Sequence, residues 1–220
     1  MFSKDLGIDL GTMFTRLADS AQVLLEEPTI VAIDVDDQKM VAAGLEARDM
    51  FGKVPDSIEV ARPLRNGVIA DYEITETLLQ YLLQRVSGSM RIFRPRVMIS
   101  VPYGVTSVER RAVYEAVMEA GSREAFLIQQ PLAAAIGIDL PINSPSGNMI
   151  ISLGGGCTEA AVMAMYGIVA ADTLRAGGMD LDEAIVNYVR RKYGVIIGQG
   201  TAEQLKIRIG AAVPQDTENS

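Results

Sequence analysis

The sequence contains no histidine and a single cysteine, Cys157, among its 220 residues. Without histidine there is no His-based catalytic triad, no His proton shuttle and no His-ligated metal site. One cysteine can form neither an internal disulfide nor a thiolate cluster, which indicates a reducing, cytosolic setting. Any metal ion is therefore expected to be held by oxygen atoms.

Positive charge and long apolar runs are also scarce. Lys and Arg number 20 against 28 Asp and Glu, a net charge of −8, which argues against a general binder of the nucleic-acid backbone. The most apolar stretch, 160–171, is too short to cross a bilayer and is interrupted by Tyr166-Gly167, so it predicts two buried strands around a turn. No charged-then-apolar leader opens the chain, and secretion is not expected.

A glycine-rich stretch lies between two apolar segments, as Ile151-Ser152-Leu153-Gly154-Gly155-Gly156-Cys157-Thr158-Glu159. An apolar run that becomes three glycines and then apolar again predicts a strand, a loop and a second strand. Glycines at such a tip let bare N–H groups approach an anion closely. The stretch therefore predicts a phosphate site.

The same pattern stands near the start of the chain, as Ile8-Asp9-Leu10-Gly11-Thr12-Met13-Phe14-Thr15. A shift of 143 positions, from Ile8 to Ile151, superimposes Ile, Leu, Gly and Thr on their counterparts. Either stretch alone is more typical of a plain glycine-rich turn, because one such loop is a weak motif. The pair is more specific, and it predicts two hairpins that grip one polyphosphate from both sides.

The two predicted hairpins differ at the end of their first strand. Asp9 supplies a carboxylate in the first hairpin, whereas Ser152 stands at the matching position of the second. A carboxylate there can hold a hydrated Mg²⁺ through its water molecules, and a serine hydroxyl adds no negative charge. We therefore expect Asp9 to face the metal and the metal to be held weakly.

The rest of the chain alternates strands and helices. Short apolar segments over 4–33 predict a meander of strands, and an apolar residue at every fourth position from Ile74 to Val86 predicts a core helix. Between Asp34 and Arg62 the pattern loosens into polar pieces with a small helix near 45–50, which we interpret as an inserted subdomain. Capping pairs predict two helix starts, at Thr106 with Glu109 and at Thr201 with Gln204.

A segment rich in Pro and Asn, 138–147, is typical of a linker. It predicts a first lobe at 1–144, with the small inserted subdomain near 34–62, a partial second lobe at 145–214 and a polar tail at 215–220. Strands and helices alternate in both lobes, so the predicted fold class is α/β, with mixed sheets flanked by helices.

Four further blocks resemble the MreB family of bacterial actin homologues, and the resemblance covers nearly the whole chain. The two hairpins are shared with actins, heat-shock chaperone ATPases and sugar kinases, whereas these blocks resemble MreB rather than its cousins. They are Arg62-Pro63-Leu64-Arg65-Asn66-Gly67-Val68-Ile69-Ala70-Asp71-Tyr72, Pro95-Arg96-Val97, Val108-Glu109-Arg110-Arg111-Ala112 and Thr201-Ala202-Glu203-Gln204-Leu205-Lys206-Ile207.

The resemblance implies a two-lobed, actin-like ATPase fold of the ribonuclease H-like kind, with ATP and Mg²⁺ in the cleft between the lobes. It also implies a cytoplasmic protein that assembles with itself into filaments at the inner face of the cell membrane. The partners that it implies are the membrane surface and the cell-wall elongation proteins, and the implied role is cell-shape determination.

The resemblance also implies roles for single residues. Asp9 would hold the metal through water, Gln130 would orient the attacking water, and Glu203 and Lys206 would lie near the nucleoside. The residues implied for the phosphates are Gly11, Thr12 and Met13 on one side and Gly154, Gly155 and Gly156 on the other. From the residues alone, Gln129-Gln130 is equally consistent with a polar helix start that satisfies backbone groups.

Three departures from the family pattern predict a weak or absent ATPase. Ser152 replaces an acid that helps to hold the metal, Met179 stands where the family usually has an acid, and the sequence stops at Ser220 where a family member continues. The second lobe is therefore expected to be incomplete. The chain could be a fragment, one piece of a split protein or a shortened paralogue.

Membrane contact is predicted at Met90, Ile92 and Phe93, because apolar side chains among arginines can insert at an interface of anionic lipid. The alternative is that Ile92 and Phe93 begin a buried strand. Two other functions also remain open. One is a structural paralogue or fragment that no longer binds nucleotide; the other is a small-molecule kinase, which requires a carboxylate base that the sequence does not reveal.

Overall fold

The computed structural model describes residues 4–87 and 94–213 of the chain. The helices are α1 (Leu45–Met50), α2 (Tyr72–Ser87), α3 (Ser107–Glu119), α4 (Gln130–Gly137), α5 (Gly178–Tyr193) and α6 (Gln199–Ile209). The strands are β1 (Asp5–Leu10), β2 (Phe14–Ala18), β3 (Val23–Pro28), β4 (Val31–Asp34), β5 (Lys39–Ala43), β6 (Ile58–Ala61), β7 (Leu64–Arg65), β8 (Val68–Ile69), β9 (Arg96–Val101), β10 (Glu124–Gln129), β11 (Asn148–Leu153), β12 (Thr158–Ala164) and β13 (Gly167–Leu174).

Five strands form a mixed sheet in the order β10-β9-β1-β2-β3. Strand β1 runs parallel to β9 and antiparallel to β2, which places the first glycine hairpin at the carboxyl end of a central strand. Helices α2 and α3 share one hydrophobic core with this sheet, and Leu78 and Leu82 of α2 are fully buried in it. The core helix predicted from Ile74 to Val86 is thus confirmed.

Residues 31–61 contain a smaller antiparallel sheet in the order β5-β4-β6. Helix α1 lies where the sequence predicted it, with Ala47 buried against Ile30 and Ala42. The interpretation of this region as loose polar pieces was wrong for two of its strands. Strands β5 and β6, of five and four residues, show too few alternations to be recognised beside an acidic turn, whereas β4 agrees with the strand predicted from the apolar segment that ends at Ile33.

The remaining three strands form the antiparallel sheet β11-β12-β13. The two strands predicted around Tyr166-Gly167 are confirmed, since β12 ends at Ala164 and β13 begins at Gly167. Helix α4 packs on one face of this sheet, where Ala135, Ala161 and Met163 form a small core. The glycine-rich loop 154–157 joins β11 to β12, and helices α5 and α6 follow the sheet and contact each other.

The capping prediction is confirmed for α3 and wrong for α6. The Thr106 hydroxyl accepts a hydrogen bond from the Glu109 N–H at 3.2 Å, and the Glu109 carboxylate accepts one from the Thr106 N–H at 2.7 Å. Helix α6 instead begins at Gln199, with Gly198 at its N-cap and no side-chain cap. The Gly198 carbonyl accepts the Thr201 N–H at 3.1 Å, so Thr201 lies inside the helix.

Candidate functional site

The two glycine hairpins have the same strand register. In the first, Leu10 pairs with Thr15 across β1 and β2. In the second, Leu153 pairs with Thr158 across β11 and β12. Both pairs obey the shift of 143 positions, so the sequence repeat corresponds to a repeat of three-dimensional structure.

The turns of the two hairpins are closed by matching hydrogen bonds. The Gly11 N–H donates to the Phe14 carbonyl at 3.1 Å, and the Gly154 N–H donates to the Cys157 carbonyl at 2.9 Å. A Cβ atom on Gly11 would lie 2.7 Å from the Phe14 oxygen, and one on Gly154 would lie 2.8 Å from the Cys157 oxygen. These glycines are therefore required by the turn itself, a reason that sequence analysis did not give.

The carbonyl groups at the tip of the first hairpin are held from one side. The Thr29 hydroxyl donates to the Gly11 oxygen at 2.7 Å, and the Thr29 N–H donates to the Met13 oxygen at 2.9 Å. The Arg62 guanidinium lies 3.4 Å from the Thr12 oxygen. Because the N–H of a trans peptide points opposite to the preceding C=O, the N–H groups of Thr12 and Met13 are turned to the other side.

The tip of the second hairpin is held by the start of α5. The Gly178 N–H donates to the Gly154 oxygen at 3.0 Å, and the Met179 N–H donates to the Gly155 oxygen at 2.9 Å. The same peptide geometry turns the N–H groups of Gly155 and Gly156 away from α5. This hairpin therefore also presents backbone donors on one side.

The two tips lie against each other. A Cβ atom on Gly155 would lie 2.1 Å from Cγ of Met13, and one on Gly156 would lie 2.4 Å from the Thr12 hydroxyl oxygen. No residue in 4–87 or 94–213 accepts a hydrogen bond from the N–H groups of Thr12, Met13, Gly155 or Gly156. Such a group of unpaired backbone donors is a typical anion-binding arrangement.

Two cavities adjoin the hairpin tips. One, of about 260 Å³, is lined by Met13 and Glu203, and the other, of about 330 Å³, is lined by Thr12 and Gly156. Three further residues line both cavities: Arg62, Met179 and Gln199. Met179 contacts the second hairpin through its backbone N–H, so the departure noted in the sequence lies beside the predicted phosphate site.

Glu203 and Lys206, the two residues of α6 that the resemblance places near the nucleoside, have different surroundings. Glu203 lines the smaller cavity. Lys206 instead pairs with the buried carboxylate of Asp182 at 2.7 Å and donates to the Gly178 oxygen at 2.9 Å. Lys206 therefore fixes α6 to the start of α5, which in turn holds the second hairpin.

Asp9 lies at the end of β1 with two polar neighbours. Its Oδ1 accepts the Ser100 hydroxyl at 2.9 Å, and its Oδ2 lies 3.5 Å from Arg16 Nη1. The described residues contain no group of three or more acidic or cysteine side chains that could hold a metal by itself. A hydrated Mg²⁺ shared between one carboxylate and nucleotide phosphates fits this donor set.

Cys157 and Glu159 follow the tip of the second hairpin, and both side chains are buried. Burial, with the charges of Glu159 and Asp9, raises the pKa of the Cys157 thiol to about 11, so the thiol is protonated at neutral pH. Glu159 is 1% exposed, and its Oε1 accepts the Tyr103 N–H at 2.6 Å. Burial also raises the pKa of the Glu159 carboxyl.

Gln130 is the first residue of α4 and is half-buried. Helix α4 packs on β11 and β12, the strands of the second hairpin. Within the described parts of the chain, however, no hydrogen bond joins Gln130 to either hairpin tip. The role of Gln130 therefore stays a prediction.

Two functional candidates were missed by sequence analysis, Arg62 and Thr29. Arg62 begins a block of residues that resembles the family, and nothing in that block indicates that its side chain reaches the first hairpin. Thr29 follows a Pro-ended strand and carries no motif. Both act through backbone carbonyls distant in the chain, which a sequence pattern does not reveal.

The predicted membrane residues Met90, Ile92 and Phe93 lie outside the described residues. Among the helices of 4–87 and 94–213, none combines the length and apolar character needed to cross a bilayer.

Comparison with known proteins identifies similar chains. Residues 3–220 match the family model described as MreB/Mbl protein. The cell shape-determining protein MreB of Escherichia coli K12 is 47% identical over 222 residues, which cover 98% of this chain and 64% of the relative. This chain thus spans about 64% of the length of that curated relative.

Solved structures give the same fold. The crystal structure of MreB5 of Spiroplasma citri bound to ADP superimposes with a TM-score of 0.89 at 32% identity, covering 97% of this chain and 64% of that one. The same protein bound to AMPPNP gives a TM-score of 0.86 over 99% of this chain and 66% of that one. MamK in a double helical filament, 21% identical over 93% of this chain and 64% of that one, shares the fold with a TM-score of 0.77. The predicted actin-like fold is confirmed.

Proposed function

The chain belongs to the MreB/Mbl family, and on this premise we propose that it is an actin-like, nucleotide-binding cytoskeletal protein. It binds ATP between the two glycine hairpins, assembles with itself into filaments and contributes to cell shape. It acts in the cytoplasm at the inner face of the membrane, with cell-wall elongation proteins as partners. The relatives' names and the ADP and AMPPNP bound to MreB5 support this proposal.

The observation that carries nucleotide binding is the pair of hairpins in matching register. Their tips meet, and four backbone N–H groups on them have no acceptor among the described residues. A polyphosphate supplies several acceptors in a row, and it is favoured where backbone donors converge. The larger cavity beside Thr12 and Gly156 provides adjoining space.

Catalysis is proposed to be weak. When bound, Mg²⁺ would neutralise phosphate charge, and Asp9 would hold it through water. Ser152 is half-buried at the position that matches Asp9 and brings no charge. Gln130 is the proposed residue for orienting the attacking water, from the start of α4.

An ATP titration of the 220-residue chain, with Mg²⁺ and without it, tests nucleotide binding. We expect saturable binding in both conditions. Absence of binding in both would favour the second candidate, a structural paralogue without nucleotide. Ser152, which brings no charge at the position that matches Asp9, favours that candidate.

Self-assembly is tested separately. Light scattering and electron microscopy at high protein concentration, with ATP and without it, should show filaments. A monodisperse monomer under all conditions would contradict the assembly part of the proposal, and amorphous particles would do the same.

A further inference from the structure

Arg62 follows β6 and reaches the tip of the first hairpin. Its Nη1 atom lies 3.4 Å from the Thr12 oxygen, 3.5 Å from the Met13 oxygen and 3.2 Å from the Thr29 oxygen. Thr29 itself donates to the Gly11 and Met13 oxygens. One guanidinium nitrogen therefore contacts both the tip and Thr29, the residue that also holds the carbonyl groups of the tip.

We propose that Arg62 is a positioning residue for nucleotide phosphates, which aims the N–H groups of Thr12 and Met13 at them and adds its own positive charge. The inference rests on the nucleotide binding proposed above. It assigns the support of the phosphate-binding tip to a cation that lies outside both glycine hairpins.

The remaining donors of Arg62 support this role. A guanidinium has five N–H groups, and no residue in 4–87 or 94–213 accepts a hydrogen bond from Nε or Nη2 of Arg62. Arg62 lines both cavities beside the hairpins. Donors on that side chain are thus available where a ligand can enter.

The electrostatic surroundings of Arg62 also favour an anion. Burial lowers its pKa, and the charge of Glu203 acts in the opposite direction. The atoms in direct contact with it are neutral carbonyl oxygens. A largely buried cation of this kind gains more from an anionic partner than an exposed cation does, because water screens it less.

The other arginines of the cavities differ from Arg62. Arg48 lines the smaller cavity and Arg65 the larger one, and both are exposed. Neither donates a hydrogen bond to a hairpin in the described residues. Because both line a cavity, neither is a suitable control; Arg111 on α3, whose side chain is 78% exposed and lines neither cavity, removes the same charge away from the site.

The test compares ATP, ADP and AMP binding by the parent chain, Arg62→Gln and Arg111→Gln. Arg62→Gln loses the contacts that aim the tip and also loses a nearby positive charge, so we expect it to bind ATP and ADP about tenfold more weakly. AMP, which lacks the terminal phosphates, should bind with nearly unchanged affinity. Arg111→Gln should bind all three nucleotides like the parent.

The outcomes separate the two proposals. If the parent binds no nucleotide, the proposed function fails and this inference fails with it. If the parent binds ATP and Arg62→Gln binds it equally well, this inference alone fails. An equal loss for ATP and AMP also overturns it, because that pattern indicates general damage to the fold. Should Arg62→Gln not fold, Arg62→Lys replaces it, with an expected loss of about threefold for ATP and none for AMP.

Discussion

Glu109 and Arg175 form a two-pronged ion pair, with Nη1 to Oε1 at 2.9 Å and Nη2 to Oε2 at 3.0 Å. Glu109 belongs to the first turn of α3, and Arg175 directly follows β13. The pair thus connects the core of the five-stranded sheet to the sheet that carries the second hairpin. The hydrogen bonds from Arg175, followed by those from Thr106, lower the pKa of the Glu109 carboxyl to about 2, against the opposing effect of burial.

The first prediction is that Arg175→Gln destabilises the protein at neutral pH by about 0.5–1 kcal/mol, a modest value because the pair is partly exposed. A carboxyl whose pKa is lowered on folding contributes stability above its unfolded pKa, 4.5, and loses it as the pH falls towards about 2. The difference between parent and variant should therefore shrink below pH 4.5. Urea unfolding at pH 7 and pH 3 measures it.

The control for this prediction is Arg111→Gln. Arg111 pairs with Glu115 one turn further along α3, and its side chain is 78% exposed. That pair joins no second element, so its loss should change the free energy of unfolding by at most about 0.5 kcal/mol. Equal effects of the two variants would contradict a special role for the Glu109–Arg175 pair.

The second prediction is that Glu159→Gln stabilises the protein at pH 8 relative to the parent. Glu159 Oε2 is buried without a hydrogen-bond partner among the described residues, and burial raises the pKa of this carboxyl. Such a group adds stability below its unfolded pKa and loses it as the pH rises through the folded pKa. An uncharged amide of the same shape avoids that loss, so we expect the free energy of unfolding of the variant at pH 8 to exceed that of the parent by about 1 kcal/mol.

Thermal unfolding of Glu159→Gln and of the parent at pH 5 and pH 8 checks this prediction. The advantage of the variant should be larger at pH 8. Glu159→Ala serves as the comparison, because it leaves the Tyr103 N–H and the Thr173 hydroxyl without their acceptor and should destabilise at both pH values. A Glu159→Gln protein that is less stable at pH 8 than at pH 5, relative to the parent, would refute the argument.

The sequence predicted the parts of the site that repeat. The 143-residue shift between Ile8 and Ile151 predicted two matching hairpins, because strand pairing and glycine turns are local. It did not predict the contacts of Arg62 with Thr12 or of Gly178 with Gly154, since these join segments that are distant in the chain. Strands β5 and β6 were missed for the same reason, because pairing with β4 determines them more than their own residues do.

The third prediction concerns Gly177, where a Cβ atom would lie 2.5 Å from the Gly154 oxygen. Backbone cannot move aside cheaply, so Gly177→Ala should separate α5 from the second hairpin and destabilise the protein by about 2 kcal/mol. Gly200 lies in the first turn of α6 with nothing within 4 Å of its Cβ position. Gly200→Ala should instead be neutral or stabilising by up to about 1 kcal/mol. Chemical denaturation measures the free energy of unfolding of both variants, and equal values would contradict the close packing at Gly177.

The fourth prediction concerns the membrane contact that the sequence predicts at Ile92 and Phe93. The double variant Ile92→Ser, Phe93→Ser should sediment with anionic liposomes at least tenfold less than the parent, because two large apolar side chains no longer insert. Val23→Ser is the control, since Val23 is 59% exposed on β3. Equal sedimentation of the parent and the double variant would show that Ile92 and Phe93 do not anchor the chain.

The last prediction concerns Ser152, which pairs with Glu159 across β11 and β12. At the matching position Asp9 pairs with Arg16, so the acid of the first hairpin faces a base. An acid at 152 would instead face another carboxylate, and like charges in directly opposite positions are destabilising. Bound Mg²⁺ would relieve that repulsion. The parent has the uncharged Ser152 and therefore no such repulsion for the metal to relieve, so we expect its affinity for ATP to depend little on Mg²⁺.

Ser152→Asp should make ATP binding depend strongly on Mg²⁺, with a gain of about tenfold on adding the metal, because a charge-assisted hydrogen bond to a metal-bound water replaces a neutral one. Without Mg²⁺ the variant should bind ATP no better than the parent, since its new charge repels both Glu159 and the phosphates. Ser146→Asp, on an exposed loop, adds the same charge away from the hairpin. Calorimetric titrations of the three proteins with and without Mg²⁺ compare them, and equal Mg²⁺ dependence of the parent and Ser152→Asp would mean that position 152 does not face the metal.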